Sequence, residues 1–499
     1  MRKIANKLIS SVNLNHRIQD IQISNKQLVL QYKMSPSMLT RYVMIKDRES
    51  GRRIYKKLTN HEIAIPLDEL TELNANGKLD FYLSCFMLSR RFMKRTRFNN
   101  QLKRIQYVDD EKQEKFMVQK TVQHNLTMQI KQVAFDAKVT DLKSVGKNFF
   151  MEGQVESFNS QTIQVAELLL NRRDANRTYG YRCDIYPPTA ENDTYTFKGI
   201  IFLEKLKEDL ITNSRWDVYL QLRDENSNVI YKELVNLQSY REFPREEDRY
   251  LIQVKDSNEH VATLYATMGS NSLALWYTDQ NQYERTYTIA KGKSVYNETC
   301  ELEPLNEKMV FFESFLGKNY SGNPKYLYEE MLRDPKFKGF TFVWSYSGEN
   351  PEVIPGNPVV INRDSEDYYK YLARAKYWVS NIIFPVHRKR EGNVYIQTWH
   401  GTPLKKLGFD IDIEGPETLA RENFYIESRN WDYLVAANRY SSDIFKRAFK
   451  FNKEMLEYGY PANDLFYRPD LGEKVEQLKK KLNLPADKKV ILYLSLIHI

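Results

Sequence analysis

One histidine, His400, lies in a segment whose residue types suit reaction at a phosphate group. The segment runs Gln397-Thr398-Trp399-His400-Gly401-Thr402-Pro403-Leu404-Lys405-Lys406. An imidazole titrates near neutrality, so it can remove the proton of an alcohol that attacks phosphorus. Gly401 lets the backbone approach a phosphate, Thr402 can donate a hydroxyl, and Lys405 and Lys406 can offset phosphate charge. The plain alternative is a loop histidine beside two solvated lysines.

A second polar segment joins an apolar run to a helix. Met309 to Glu313 predicts a buried strand, and a helix is expected from about Pro324, since proline suits a first helical turn. The intervening loop runs from Gly317 to Asn323. Backbone amides and a helix N-terminus bind anions, so we expect this loop to hold an acceptor phosphate. An ordinary strand-to-helix turn is the alternative. Glu313, at the strand end, is a candidate to orient His400 or the substrate.

Strand-like and helix-like segments alternate after residue 305, which favours a parallel sheet with helices on both faces. Ligands collect at the carboxyl ends of such strands, and His400 follows one of them. The predicted strands are 309–313, 340–344, 377–380, 394–399 and 432–436, and the predicted helices are 366–374 and 442–449.

Residues 1 to about 300 are predicted to be β-rich, because short alternating segments such as 27–32 and 216–222 recur between polar clusters. A faint repeat, offset by about 136 residues, relates 65–83 to 201–220. We interpret this half as two tandem, sandwich-like modules, with chance similarity as the alternative.

The net charge of +9 is concentrated in the first 150 residues. The densest run of basic residues lies between Arg90 and Arg97, and it suits binding to an anionic membrane surface or a polyphosphate chain. The alternative is that these residues form a solvated surface of the fold. Sequence signatures of nucleic-acid binding are absent, so we expect no nucleic-acid partner. The candidate residues for membrane or polyanion binding are Arg90, Arg91, Lys94, Arg95 and Arg97.

Cysteine usage and hydropathy limit the class of protein. The three cysteines, Cys85, Cys183 and Cys300, are widely spaced and include no metal-ligand pair, so we expect a reducing cytoplasm and no metal. No apolar run is long enough for a spanning helix. The basic N-terminus lacks the apolar segment of a secretory signal.

Four stretches, in order, resemble the CDP-glycerol glycerophosphotransferases of bacterial teichoic-acid synthesis. They are 312–324, the segment around His400, 430–449 and Gly459-Tyr460-Pro461-Ala462-Asn463-Asp464. Each stretch is weak alone, but the ordered set is specific. The resemblance covers about residues 305–494.

The resemblance implies a GT-B transferase with two Rossmann-like domains. Such enzymes move glycerol phosphate from CDP-glycerol to the terminal hydroxyl of a poly(glycerol phosphate) chain and release CMP. It implies that His400 is the general base, that CDP-glycerol is the donor substrate and that no cofactor is tightly bound. It also implies a lipid-linked acceptor and a peripheral location at the cytoplasmic face of the plasma membrane. The substrate-binding candidates are Glu313, Ser314, Gly317, Tyr320, Ser321, Asn323, Trp399, Gly401, Thr402, Pro403, Lys405, Asn463 and Asp464.

One departure from the family pattern falls in the fourth stretch, where Ala462 stands in place of a common arginine. Asn463 and Asp464 are retained, so we expect the turn to survive. Two rival functions stay open. One is transfer of ribitol phosphate or another polyol phosphate, and the other is a non-catalytic protein that binds membranes or polyanions.

The expected domains are 1–135, a basic β-rich module; 136–300, a second β-rich module; 301–470, a Rossmann-like acceptor-side domain; and 471–499, the start of a donor domain. The donor domain should begin with a strand at Lys489–Tyr493. Residues 494–499 match one reading frame of a transposon adaptor used in sequencing libraries, and we expect them to be non-native. We therefore expect a missing second Rossmann-like domain and a fragment that is inactive alone.

Overall fold

The computed structural model describes residues 15–35, 41–87, 90–96, 105–121, 125–159, 161–190, 192–256, 259–411 and 425–493. The chain divides into two compact units, Met1–Ser294 and Val295–Ile499. The first unit contains antiparallel strands and the second a parallel sheet with helices. This confirms the β-rich half followed by an α/β domain. The four-domain division stays a prediction, and residues 494–499 lie outside the described part.

The first ten strands form two antiparallel sheets, ordered β1-β2-β5 and β4-β3-β6-β10-β9-β8, with β7 paired to β6. Leu30 of the first sheet and Phe81 of the second belong to one buried core. Two sheets that share a core form a sandwich. The elements are β1 (Asn15–Ser24), β2 (Gln27–Ser35), β3 (Arg41–Asp47), β4 (Arg53–Lys57), β5 (Glu62–Pro66), α1 (Leu67–Leu73), β6 (Lys78–Met87), β7 (Arg90–Arg95), β8 (Gln106–Asp109), β9 (Glu114–Lys120) and β10 (Leu126–Gln132).

The next ten strands form one antiparallel sheet, ordered β11-β12-β15-β14-β13-β16-β20-β19-β18, with β17 paired to β16. Its edge strands β11 and β18 contact each other, and a single core takes residues from along the whole sheet, so the sheet curls around that core. The strands are β11 (Phe135–Val145), β12 (Asn148–Ser157), β13 (Val165–Arg172), β14 (Thr178–Tyr186), β15 (Tyr195–Ile201), β16 (Ser214–Arg223), β17 (Val229–Leu234), β18 (Tyr250–Lys255), β19 (His260–Ala266) and β20 (Leu273–Asp279).

The two copies of the faint repeat follow the same local path. In the first copy, β5 leads through α1 into β6. In the second, β15 leads through a 3-10 segment, Leu203–Asp209, into β16. Each copy is therefore a strand, a helical connection and a strand, where the sequence predicts only a polar connection.

The second unit is built on seven parallel strands, ordered β23-β22-β21-β24-β25-β26-β27. The strands are β21 (Asn306–Glu313), β22 (Thr341–Ser345), β23 (Val359–Ile361), β24 (Ala375–Ser380), β25 (Val394–Gln397), β26 (Tyr433–Val435) and β27 (Glu454–Leu456). The helices that lie wholly within the described residues are α2 (Gln280–Leu302), in which the boundary between the units falls, α3 (Gly322–Arg333), α4 (Glu366–Arg374), α5 (Arg439–Ala448) and α6 (Leu471–Lys481).

Apolar residues on both faces of this sheet explain its long hydrophobic runs. On β21, Met309 and Phe311 belong to one buried cluster, while Val310 and Phe312 belong to another. Successive side chains of a strand point to opposite faces, so both faces are covered. The alternating strands and helices predicted after residue 305 are confirmed, with ends shifted by a few residues.

The predicted strand at Lys489–Tyr493 is wrong. These residues have no regular secondary structure, and Ile491, Leu492 and Tyr493 are largely exposed. A strand requires a neighbour for its hydrogen bonds, and within the described residues no strand pairs with this segment. Its apolar composition alone therefore does not produce a strand.

The order in which strands are added to the sheet reverses at β21. The chain adds β22 and β23 on one side of β21 and then crosses to add β24 to β27 on the other. The switch point in strand order therefore lies between β21 and β24, and ligands bind at such a point in open α/β sheets. Among the described residues, no helix is long and apolar enough to cross a membrane, and no cluster of three metal-ligating side chains is present.

We predict that Gly408→Ala destabilises the second unit. Gly408 has a φ of +46°, and an added Cβ would overlap the carbonyl oxygen of Ala448. The strain should lower the free energy of unfolding by about 1–3 kcal/mol. Tryptophan fluorescence during urea unfolding measures this, because Trp344, Trp378, Trp399 and Trp431 all lie in this unit.

Gly472→Ala is the matched control, because a Cβ at this position would meet no atom within 4 Å and the residue lies in α6. Alanine is a better helix former than glycine, so the stability should stay equal or rise slightly. Equal losses in both variants would contradict the prediction.

Candidate active site

The loop that carries His400 leaves the sheet through a sharp turn. Past the end of β25, the Thr398 amide still donates to the carbonyl of Ser380 at 2.8 Å. Trp399 then adopts a left-handed φ of 53°, and its amide donates to Oε1 of Gln397 at 2.9 Å. A large residue in this conformation is strained and needs surrounding contacts to hold it. The turn ends the strand and presents His400 to solvent.

His400 is stacked on an aromatic base. Its ring lies 4.5 Å from the Trp399 ring at an interplanar angle of 18°, and the Phe315 ring lies 6.1 Å away. Phe445 and Phe449 pack against Trp399 in turn. Partial desolvation lowers the pKa of His400 below its ordinary value of 6.5. The imidazole is therefore mainly neutral at pH 7 and can accept a proton, while its side chain stays exposed to a substrate.

The loop after β21 is tied to the loop after β24. The Phe315 amide donates to Oδ1 of Asn381 at 2.9 Å, and Nδ2 of Asn381 lies 3.2 Å from Oγ of Ser314. Oγ of Ser314 donates to the carbonyl of Ser321 at 2.7 Å, which closes the loop on itself. Leu316 and Gly317 both have positive φ values. Asn381 therefore connects the loops that follow β21 and β24 at the switch point.

Asn323 connects the His400 loop to two other segments. Its Nδ2 donates to the carbonyls of Thr398 and Trp399, each at 3.2 Å, and its Oδ1 accepts from the amide of Ala462 at 3.2 Å. Its side chain is buried, with 3% exposed. Its polar atoms are thus used by the protein backbone, so we assign Asn323 a positioning role.

Tyr460 holds the residue that follows His400. Its hydroxyl donates to the carbonyl of Gly401 at 2.8 Å. Burial raises the pKa of Tyr460, so the hydroxyl keeps its proton. Sequence patterns alone assign no role to Tyr460 or to Asn381. Asn381 follows the predicted strand 377–380 directly, and the carboxyl-end rule could have identified it.

Glu313 forms a buried ion pair with Arg363 instead of a contact with His400. Glu313 is fully buried, and Arg363 also contacts the hydroxyl of Tyr368 at 3.2 Å. Burial raises the pKa of Glu313, and the Arg363 guanidinium opposes that rise. Within the described residues no contact joins Glu313 to His400, so the structure gives no support to an orienting role toward His400, and a role toward the substrate stays a prediction.

Of the other substrate-binding candidates, some are exposed and others are buried or hydrogen-bonded to neighbouring residues. Around His400, Thr402 and Lys405 are exposed, Pro403 is buried, and a Cβ on Gly401 would meet no atom within 4 Å. Asn463 and Asp464 are exposed on the 3-10 segment Pro461–Tyr467. The hydroxyl of Tyr320 donates to Glu329 at 3.2 Å. Gly317 is buried, and a Cβ there would lie 2.9 Å from Oγ of Ser345.

The basic segment of the first unit is only partly described. Arg90, Arg91 and Lys94 lie on β7, but their side chains are outside the described part, and so is the whole of Arg97. Arg95 pairs with Asp80 at 2.5 Å and also donates to the carbonyl of Leu126 at 3.3 Å. Arg95 therefore has a structural partner within its own sheet.

A family model described as CDP-Glycerol:Poly(glycerophosphate) glycerophosphotransferase matches residues 295–494. The teichoic acid poly(glycerol phosphate) polymerase of Staphylococcus epidermidis is 42% identical over 210 residues, which are 41% of this chain and 29% of that protein. The polymerase of Bacillus subtilis is 45% identical over 198 residues, which are 38% of this chain and 26% of that protein.

Among solved structures, one of the wall teichoic acid polymerase TagF with CDPG is 37% identical, covers 42% of this chain and 55% of that chain, and has a TM-score of 0.37. The chain spans about a quarter to a half of the length of the curated relatives that it matches.

We predict that Asn323→Asp destabilises the His400 loop. The change keeps the side-chain shape but replaces two N–H bonds with a carboxylate facing two carbonyls. Loss of these buried bonds should lower the free energy of unfolding of this unit by about 1–3 kcal/mol, measured by tryptophan fluorescence in urea. Asn319→Asp, at an exposed position of the loop that precedes α3, is the control and should change little. An Asn323→Asp variant with an unchanged free energy of unfolding would contradict the positioning role.

We also predict that His400 titrates below pH 6.5 in the folded chain. The chain has seven histidines, so NMR of the imidazole Cε1–H group is assigned by comparison with His400→Asn. In urea the midpoint should rise, because the desolvation is lost. A folded midpoint at or above 6.5 would show that the surrounding rings do not favour the neutral form.

Proposed function

We propose that residues 295–494, which match the CDP-glycerol:poly(glycerophosphate) glycerophosphotransferase family model, supply the catalytic base and the acceptor side of an enzyme that transfers glycerol phosphate from CDP-glycerol to the terminal hydroxyl of a poly(glycerol phosphate) chain. The observation that carries this function is the exposed His400 imidazole with a lowered pKa, which follows the turn at Trp399 beside the switch point of a parallel sheet.

In the proposed reaction, His400 accepts the proton of the terminal hydroxyl as its oxygen attacks the β-phosphorus of CDP-glycerol. The new P–O bond forms while the bond from that phosphorus to the CMP oxygen breaks, and CMP leaves. A general base placed in this way contributes roughly 10²–10⁴-fold to the rate. The neutral state of His400 at pH 7 favours this role, because a protonated imidazole has no lone pair to offer.

The groups proposed to hold phosphate surround His400. Gly401 leaves open space for a phosphate oxygen, and Thr402 and Lys405 are exposed on the same loop. The start of α3 adjoins this loop through Asn323, and its first amides favour an anion. Asn463 and Asp464 are proposed to contact the glycerol hydroxyls, since their segment joins Asn323 through Ala462.

The finer features of the family are also part of the proposal. The second unit would be the acceptor-side half of a GT-B fold, and the acceptor would be a lipid-linked chain at the cytoplasmic face of the plasma membrane. The basic residues around β7 would favour peripheral attachment to anionic lipid. Transfer of ribitol phosphate uses the same base chemistry and is the second candidate.

CMP release and acceptor elongation test the proposal. They are measured for the chain itself and for a graft in which residues 295–493 replace the matching segment of the Staphylococcus epidermidis polymerase. We expect acceptor-dependent CMP release by the graft, lowered about 10²–10⁴-fold by His400→Asn. His387→Asn, at the other histidine of this segment, is the control and should retain activity.

Three results would decide against parts of this proposal. Unchanged release in His400→Asn would remove the catalytic base. Release from CDP-ribitol in preference to CDP-glycerol would favour the ribitol alternative. Failure of both the chain and the graft to release CMP in response to an acceptor would contradict the transferase function.

A further inference from the structure

A cavity of about 400 Å³ lies inside the first unit, between the sandwich of β1–β10 and the curled sheet of β11–β20. Its volume lies in the range of small-molecule sites, about 300–1,000 Å³. Residues of β6, β9 and β10 line one side, and residues of β11, β15, β16 and β17 line the other. Five lysines line it: Lys78, Lys115, Lys131, Lys138 and Lys232.

Three of these lysines are paired with carboxylates. Lys115 pairs with the buried Asp136, and Lys131 pairs with Glu233 at 2.8 Å. Lys138 lies 3.6 Å from Asp136 and 3.5 Å from Glu156. The carboxylates therefore neutralise one set of ammonium groups and fix their positions.

The other two lysines supply the excess positive charge. Within the described residues, neither Lys78 nor Lys232 has a carboxylate within 4 Å. Lys78 comes from β6 and Lys232 from β17, so the two sheet assemblies contribute one unpaired cation each. Both side chains are exposed. A cavity with a net positive wall attracts anions.

Neutral donors accompany the lysines. Gln119 is 7% exposed, and its amide makes no hydrogen bond with any described residue. Gln129 also lines the cavity and lies opposite Lys78 in the β10–β6 register. A side-chain amide at a cavity wall has two N–H donors to offer to ligand oxygens.

The remaining wall is aromatic and apolar. Phe197, Tyr219 and Tyr231 line it, and Nζ of Lys232 lies 5.8 Å from the centre of the Tyr219 ring. Cations and amides beside carbon surface suit a ligand in which anionic groups alternate with short carbon units. A single inorganic anion would leave the aromatic wall without a partner.

We propose that this cavity binds a segment of a phosphodiester chain, with Lys78 and Lys232 contacting successive phosphates and the aromatic wall contacting the carbons between them. The identification of that chain as the poly(glycerol phosphate) acceptor rests on the proposed function, whereas the affinity for phosphodiesters does not. The first unit then has a role of its own, which is to hold the polymer that the second unit extends.

Binding of a fluorescent glycerol phosphate hexamer to the whole chain, followed by anisotropy, tests this site. We expect Lys78→Gln/Lys232→Gln to weaken binding about tenfold or more, because two charge-assisted contacts are lost. Lys147→Gln/Lys255→Gln removes the same charge from exposed positions of the same unit outside the cavity, and should reduce binding little. Lys78→Arg/Lys232→Arg should retain binding.

The binding measurements include results that would overturn the proposed phosphodiester site. Equal weakening by both glutamine pairs would show non-specific attraction and overturn the site, as would a wild-type chain that does not bind the hexamer. Loss of binding to phosphatidylglycerol vesicles, with hexamer binding intact, would assign the lysines to a membrane and also overturn it. Hexamer binding that depends on Lys78 and Lys232, with no acceptor-dependent CMP release by either the chain or the graft, would contradict the proposed function alone.

Discussion

The candidate active site depends on the hydrogen bonds that the side-chain amide of Asn323 makes. This amide donates to the carbonyls of Thr398 and Trp399 and accepts from the amide of Ala462, so one buried group joins segments from three parts of the chain. An amide can do this because it has both donors and an acceptor. The contact holds Trp399 in its left-handed conformation. Without that turn, β25 would continue and the side chain after it would no longer stack on Trp399.

The parallel sheet explains why these segments meet. Ser314 follows β21, Asn381 follows β24 and His400 comes three residues after β25, and these three strands are neighbours in the sheet. The carboxyl ends of parallel strands lie at one edge. Residues far apart in sequence, such as Phe315 and Asn381, therefore come within hydrogen-bond distance. The sheet brings the loops together, and the amide contacts fix their conformations.

Local patterns are enough to predict most elements of the second unit. The helix Glu366–Arg374 has the bounds that its sequence predicts, because Ser365 caps it and two acidic residues occupy its first turn. Pairings between distant parts of the sequence are not predictable in the same way. Nothing near Glu313 indicates Arg363 as its partner, and nothing near Asn323 indicates Ala462. The segment 489–493 has a strand-like composition, yet composition does not supply the neighbour that a strand requires.

The charged residues show most clearly that pairings between distant parts of the sequence are not predictable from local patterns. Arg95 lies in the densest basic run of the chain, but its guanidinium pairs with Asp80 and a backbone carbonyl. Lys78 stands in no basic run, yet its side chain lines a cavity without a described carboxylate partner. A paired cation must lose its partner before it binds a ligand, and separating a partly buried pair is costly. An unpaired cation in a cavity has no such cost, and it is screened less by salt than one on an open surface. Affinity for a polyanion should therefore depend on which cations lack partners, and less on how many basic residues the sequence places side by side.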